Sequence, residues 1–380
     1  MGRTENMKIK PTKCIQKLVP YRTASHKVWE YTYGKKTDII NSILKLDWNE
    51  ATKIDKDLLK DILRFIVTHN IQLNWYPDTD NSLLLNEISK YVGLPIENIQ
   101  YFGGSDSALE YICRTFISPR DKILIVGPTY DNFRVYAQSC GGKIILYLNN
   151  SPFEKNLKRL DGFIKKQKPK MVYIVNPNNP TGVMYTTDEI RLLLINNPRT
   201  LFIIDEAYYE FCKVTCASLV LEYQNIVITR SFTKAFALGA FRLGYILGPT
   251  YIINYINKIR VGKNINVFAQ IAGIIALKNR EKYMEAYVEE VNKSKNLILT
   301  ELTSLGLKVY NTPANFILVK VKDGQKFVKL LEKELVFVRD RSSDAQLKGF
   351  VRITVGDLKT TEEFLKRIKK IIKENESSIF

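Results

Sequence analysis

Histidine is almost missing from this chain: His26 and His69 are the only two in 380 residues. Neither has ligand-like spacing to Cys212 and Cys216, the close pair among the cysteines, so a zinc site finds no support. The five cysteines (Cys14, Cys113, Cys140, Cys212 and Cys216) are an odd number scattered along a long chain. That argues against a disulfide scaffold and predicts reduced thiols packed as small hydrophobes. Long apolar runs are also lacking. The longest, Val267 to Leu277, is interrupted by Gln270 and is too short to span a bilayer. Met1–Pro20 is polar and basic, without the apolar stretch of a signal peptide. No internal repeat, low-complexity tract or long Gly/Ser linker interrupts the sequence. These absences predict a cytoplasmic protein.

Acidic residues are the scarcer charge: 39 Asp and Glu face 57 Lys and Arg, a formal net charge of +18. Such an excess suits nucleic acid, an anionic membrane or a phosphorylated small molecule. The lysines are spread along the whole chain, with short clusters only at Lys165–Lys170 and Lys366–Lys373. Both clusters fall in stretches patterned as amphipathic helices, so they read as solvated faces. No nucleic acid or membrane partner is expected, and the charge is compatible with anionic small molecules. Apolar residues make up 45% of the chain, enough at this length for at least one large core.

From about Leu83 the pattern alternates. A helix over Ser82–Val92 leads to a strand near Ile99–Phe102, then to a helix opening at Ser105 and running to Phe116. Strands follow at Ile123–Val126, Lys143–Leu148, Lys170–Val175, Leu201–Ile204, Asn225–Thr229 and Leu243–Leu247. Several are short apolar runs bounded by turn signals, as strands buried on both faces are. Strands alternating with helices at this spacing predict a largely parallel sheet covered on both sides. Beyond about Lys278 the character changes to a long charged helix, strands near Phe316–Val321 and Phe350–Thr354, and a closing helix. That shift predicts a second, smaller α+β unit.

Four motifs sit where strands end. Ser231-Phe232-Thr233-Lys234 follows the strand ending at Thr229, which places Lys234 to point into a cleft at the sheet's edge. Its amine can condense with an aldehyde if its surroundings disfavour the charged form. Ser231, Thr233 and Arg242 supply two hydroxyls and a fixed cation, a set suited to a phosphate dianion. Alone, Lys234 reads equally as one more surface lysine. Asp205, in Asp205-Glu206-Ala207-Tyr208, closes another strand; a carboxylate there can pair with a protonated pyridine nitrogen, and Tyr208 can donate to a ring oxygen. Asn176-Pro177-Asn178-Asn179-Pro180-Thr181-Gly182 makes a rigid turn that can hold an asparagine amide against a ligand. Gly103-Gly104-Ser105-Asp106-Ser107 joins a strand to a helix N-terminus, a ready anion site. Asp106 looks electrostatically wrong beside an anion, so its side chain is expected to cap the helix instead.

In this order and spacing the motifs resemble the fold-type-I pyridoxal-phosphate aminotransferases, most closely the histidinol-phosphate aminotransferase branch, from about Val19 to about Leu365. The resemblance implies an α/β fold: a large domain over residues 47–265 with a mostly parallel sheet sandwiched by helices, and a smaller α+β domain from 1–46 and 266–380 with an N-terminal arm. It implies that Lys234 carries the cofactor as a Schiff base and moves the proton between substrate Cα and cofactor C4′. Asp205 would bind the pyridine nitrogen, Asn179 and Tyr208 the ring O3′, and Tyr130 (in Gly127-Pro128-Thr129-Tyr130) would stack on the ring. Ser105, the Asp106 backbone, Ser231, Thr233 and Arg242 would hold the phosphate. Tyr76, in Trp75-Tyr76-Pro77-Asp78, matches a tyrosine reaching the neighbouring subunit's cofactor phosphate, which implies a homodimer.

On the substrate side, Arg352 (in Val351-Arg352-Ile353-Thr354) matches the arginine that grips the α-carboxylate, and Asn49 (in Asp47-Trp48-Asn49-Glu50) the asparagine assisting it. Tyr21 and Arg339 match positions that hold a substrate's own phosphate. The implied activity moves an amino group from L-glutamate to a small phosphorylated keto acceptor. The alternative on the same scaffold is a decarboxylase of an O-phospho amino acid, similar to the threonine-phosphate decarboxylases. A cofactor-sensing transcription regulator resembles this pattern only after a DNA-binding module, for which the residues before Val19 leave no room.

Overall fold

The structure is a computed structural model that describes residues 9–21, 27–32 and 37–379; His26, Met1–Lys8 and Phe380 lie outside the described residues. Seven strands form the main sheet: β1 (Ile99–Phe102), β2 (Lys122–Gly127), β3 (Lys143–Leu148), β4 (Met171–Val175), β5 (Leu201–Asp205), β6 (Ile226–Ser231) and β7 (Gly244–Leu247). Their spatial order is β1-β7-β6-β5-β4-β2-β3. The pairs β2–β3, β2–β4, β4–β5 and β5–β6 are parallel, while β7 runs antiparallel to both β1 and β6. The sheet is thus mixed and mostly parallel.

Strands β4, β5 and β6 are buried at every residue, which is why each opens as a short apolar run (Met171–Val175, 201–204 and 226–228) rather than as an alternating pattern. Two clusters of buried side chains cover the two faces. One includes Val172, Ile174, Phe202 and Ile204; the other Met171, Tyr173, Val175 and Ile203. Alternate residues of one strand thereby serve opposite cores.

The apolar stretch after Asn266 becomes the helix Val267–Lys278, buried from Ala269 to Leu277. It packs on the helices Lys56–Thr68 and Ser82–Val92. The sequence reading places it with the smaller unit, but its all-round apolar surface needs cover on every side and finds it beside the main sheet's helices.

A second sheet of four antiparallel strands comprises β8 (Lys308–Tyr310), β9 (Phe316–Lys320), β10 (Arg339–Asp340) and β11 (Phe350–Thr354), in the order β10-β11-β9-β8. The helices Ala286–Ser304 and Leu358–Ile379 pack together beside it. Lys165, Lys166, Lys366, Lys369, Lys370 and Lys373 are exposed, while Phe364, Leu365, Ile368, Ile371 and Ile372 face inward. The lysine clusters are therefore the outer faces of amphipathic helices. Among the described residues no helix is long and apolar enough to cross a membrane.

Candidate active site

The C-terminal ends of β4, β5 and β6 open onto a cavity of about 550 Å³, closed on the far side by Arg339 and Arg352 of the second sheet. This is where an open α/β sheet binds ligands, because loops leaving parallel strands diverge there. Of the residues anticipated from the sequence, Tyr21, Ser105, Asp106, Tyr130, Asn179, Asp205, Tyr208, Ser231, Thr233, Lys234, Arg242, Arg339 and Arg352 line it.

Lys234 lies three residues beyond β6, open to the cavity and otherwise enclosed by protein. Its Nζ donates to the carbonyl oxygen of Trp48 at 2.9 Å. Burial pushes the amine down to about 8; Glu50 opposes this, and the positive charge of Arg352 adds to it. Roughly a tenth of the amine is therefore the uncharged nucleophile at pH 7, far more than for an ordinary lysine.

Asp205 ends β5. Its Oδ2 accepts from the Tyr173 hydroxyl at 2.7 Å and its Oδ1 from the Ala207 backbone at 3.2 Å. Burial raises the carboxyl to about 6 even so, which leaves it short of a cationic partner. Tyr208 lies fully enclosed, its hydroxyl accepting from Asn49 Nδ2 at 3.0 Å, and burial raises its pKa.

The turn after β4 is clamped by Asn178. Its amide donates to the Pro128 carbonyl at 2.8 Å and to the Thr181 hydroxyl at 2.7 Å, while Thr129 donates back to its oxygen at 2.6 Å. The clamp frees the next side chain, Asn179, whose oxygen accepts from Arg352 Nη1 at 2.7 Å. Arg352 also donates through Nη2 to the Asp47 carbonyl, but its buried Nε has no partner. Burial, with Arg341 as the strongest electrostatic contributor, lowers this guanidinium to about 10.

At the other end, the helix Ser105–Phe116 begins directly after Gly104, whose φ is +94°. A Cβ at Gly104 would lie 2.7 Å from Arg242 Nη2, and one at Gly244 would lie 2.5 Å from the Ser105 nitrogen. Both glycines are needed for the cation and the helix N-terminus to approach so closely. Ser231 Oγ accepts from the Thr233 backbone at 3.1 Å, which fixes the hydroxyl pair beside them.

Two placements differ from the sequence reading. Asp106 does not cap its helix: its Oδ1 accepts from the Tyr130 hydroxyl at 2.8 Å and from Asn132 at 3.4 Å, and no side chain caps at Gly104. The carboxylate turns away from the helix end and orients the aromatic ring instead. Asn49 is fully buried and outside the cavity wall, bonded to Tyr208 and Thr354. Tyr76, expected to serve a neighbouring subunit rather than this cavity, is 78% exposed on the outer surface next to Trp75 and does not line the cavity of its own chain.

The wall also holds residues the sequence reading passed over: Trp29, Asp47, Trp48, Glu50, Asn132 and Arg341. Lys45 bridges Asp47 and Glu50 and lies 4.2 Å from the Trp48 ring centre. Arg341 carried a legible signal, since it stands two residues after Arg339 on an extended segment and so faces the same way.

These features fit pyridoxal phosphate. A lysine amine held below its ordinary pKa lines the same cavity as a buried carboxylate, and a glycine-lined anion cradle sits beside them. The chain matches the family model for class I and II aminotransferases over residues 42–368. It is 40% identical to a dihydroxyacetone phosphate transaminase of Campylobacter jejuni, covering 95% of this chain and 97% of that one. It is 31% identical to a histidinol-phosphate aminotransferase of Clostridium novyi, covering 86% and 91%. A histidinol-phosphate aminotransferase of Sinorhizobium meliloti, solved with pyridoxal-5'-phosphate, shares the fold with a TM-score of 0.84 at 21% identity, over 96% of this chain and 98% of that one. The matched span holds every strand of the main sheet and the lysine at its edge, and this chain belongs to the class I and II aminotransferases, enzymes that work with pyridoxal phosphate.

Proposed function

We propose that this enzyme, as a cytoplasmic homodimer, moves the amino group of L-glutamate to a small phosphorylated ketone of the dihydroxyacetone phosphate type. The observation that carries the reading is the cluster of Arg339, Arg341 and Arg352 on one wall of the cavity, facing Lys234 and Asp205. A donor carboxylate and an acceptor phosphate both need such cations, and a guanidinium binds either in a fork. The named activity of the Campylobacter jejuni relative supports the same acceptor class.

Bound pyridoxal phosphate supplies an electron-accepting ring that makes a donor's Cα proton acidic. Asp205 would hold the ring nitrogen in its protonated form, and that nitrogen would give the buried carboxylate a cation. Tyr208 and Asn179 would bond the ring oxygen, and Tyr130, whose hydroxyl donates to Asp106, would pack against the ring. The helix N-terminus at Ser105, with Ser231, Thr233 and Arg242, holds the cofactor phosphate. Arg352 holds the donor carboxylate through its open Nε edge. Lys234 takes the proton from Cα and returns it as general base and then acid, a role for which a pKa near 8 is well matched. Tyr76, exposed beside Trp75, extends to the second subunit's site.

The test is a substrate panel in half-reactions. Glutamate should abolish the visible band of the lysine-bound cofactor, and dihydroxyacetone phosphate should restore it. Release of CO₂ from an O-phospho amino acid with no keto acceptor would replace this reading with a decarboxylase.

A further inference from the structure

Strands β5 and β6 carry Asp205 and Ser231, proposed above to hold opposite ends of the cofactor. The register between these strands ends at Asp205 and Thr229, and the Glu206 backbone donates to the Thr229 carbonyl at 2.8 Å. One residue further along each strand, side chains make the tie. Arg230 donates through Nε at 3.0 Å and through Nη2 at 2.9 Å to one oxygen of Glu206. Alternation along a strand turns this pair away from the cavity that Asp205 and Ser231 line.

Both side chains of the pair are buried, and Glu206 is fully engaged. The Thr215 hydroxyl donates to the same oxygen at 2.8 Å, and the Cys216 backbone donates to the other at 2.6 Å. Arg230 also donates to the Thr215 hydroxyl at 2.6 Å and lies 3.6 Å from the Tyr209 ring centre. Burying two charges costs roughly what their attraction returns, and apolar side chains of the same volume often hold strands together as firmly. What apolar contact lacks is direction. A forked, charge-assisted pair has one preferred geometry, and a network whose members are all satisfied is rigid. That rigidity lies where the register of β5 and β6 stops and the cavity-lining residues stand.

We propose that Glu206 and Arg230 are positioning residues for the cofactor: their pair fixes the separation of Asp205 and Ser231, so that one ligand meets the ring-nitrogen and phosphate contacts at once. This rests on the cofactor contacts assigned above to Asp205 and Ser231. The pair acts through its chain neighbours and touches no part of the ligand.

The test measures binding to the full-length apoenzyme by calorimetry, with ligands that cannot condense with Lys234: pyridoxine 5′-phosphate, pyridoxine and inorganic phosphate. Glu206→Gln should weaken the two-ended ligand about 10- to 100-fold while weakening each half-ligand less than about 3-fold, because misplaced contacts lose their joint advantage before their separate ones. Arg230→Lys keeps the charge without the fork and should recover part of the loss. Thr215→Val leaves the ion pair in place and should show a smaller loss of the same selective kind; it carries the test if Glu206→Gln does not fold. A loss shared equally by all three ligands, confined to one half-ligand, or absent from a folded variant overturns the inference. The cofactor contacts are tested apart from it: Asp205→Asn should weaken pyridoxine and Ser231→Ala should weaken inorganic phosphate, and if neither does, those assignments fail instead.

Discussion

Asn179 accepts a hydrogen bond from Arg352 Nη1 at 2.7 Å, joining the turn after β4 to β11 of the second sheet across the cavity. The residue proposed to bond the cofactor ring thus touches the residue proposed to hold the substrate carboxylate. A donor binding at Arg352 therefore bears directly on the amide beside the ring, which links substrate binding to the position of the reacting group.

Replacing Arg352 with Gln removes the charge and the fork but leaves an amide able to reach Asn179. KM for the amino donor should rise about 100-fold or more, as expected when a buried charged pair loses one partner. Absorption of the bound cofactor should persist, since Arg352 does not hold it. A donor KM unchanged in Arg352→Gln, measured by steady-state kinetics, would remove this residue from the substrate side.

Asp205 carries a pH signature. Its folded-state pKa is raised by burial to about 6 from an ordinary 3.8. In the apoenzyme its ionisation therefore opposes folding: the penalty is absent below about pH 4, grows as pH rises, and is complete above about pH 6. Apo Asp205→Asn should then be more stable than apo wild type at pH 7, by on the order of 2 kcal/mol, with the difference vanishing near pH 4. Urea unfolding at the two pH values checks this. The same variant should lose most of its transaminase activity, because Asn cannot hold a protonated ring nitrogen by charge.

Behind the site, Arg230 and Glu206 form an ion pair at 2.9 Å with both side chains essentially inaccessible. Arg230 also donates to Thr215 at 2.6 Å and lies 3.6 Å from the Tyr209 ring centre. Arg230→Met leaves Glu206 as a buried charge without its cation and should cost about 3–5 kcal/mol. Denaturant unfolding measures it, and a loss under about 1 kcal/mol would show that water or relaxation replaces the cation.

Much of the fold was legible because burial on both faces leaves a plain trace: β4, β5 and β6 open as short apolar runs and end at Val175, Asp205 and Ser231. The chemistry-bearing residues fall at or just past those ends, so local pattern could place Lys234 and Asp205 at the sheet's edge, while their roles were legible only through the order and spacing of all four motifs. What was hidden depends on contacts between distant positions. Asp106 was read as a cap because its neighbours in sequence are a helix start, but its partner is the Tyr130 hydroxyl, 24 residues away. Asn49 matches a substrate-facing motif, yet the packing of Thr354 and Tyr208 draws it inside the wall. Arg341 went unnoticed in a lysine- and arginine-rich chain, where charge alone does not distinguish a buried cation from a solvated one. The helix after Asn266 lacked periodicity for the simple reason that it has no exposed face to mark.

The central claim is that the Lys234 amine is the group joined to pyridoxal phosphate. Borohydride reduction of the loaded enzyme, followed by peptide mapping at a series of pH values, tests it most directly. The adduct should map to Lys234, form in the apoenzyme at a rate that climbs as pH rises toward about 8, and shift to lower pH in Glu50→Gln, which loses the carboxylate that favours the ammonium form. An adduct fixed on any other lysine, or none in a protein that binds the aldehyde, would contradict the account.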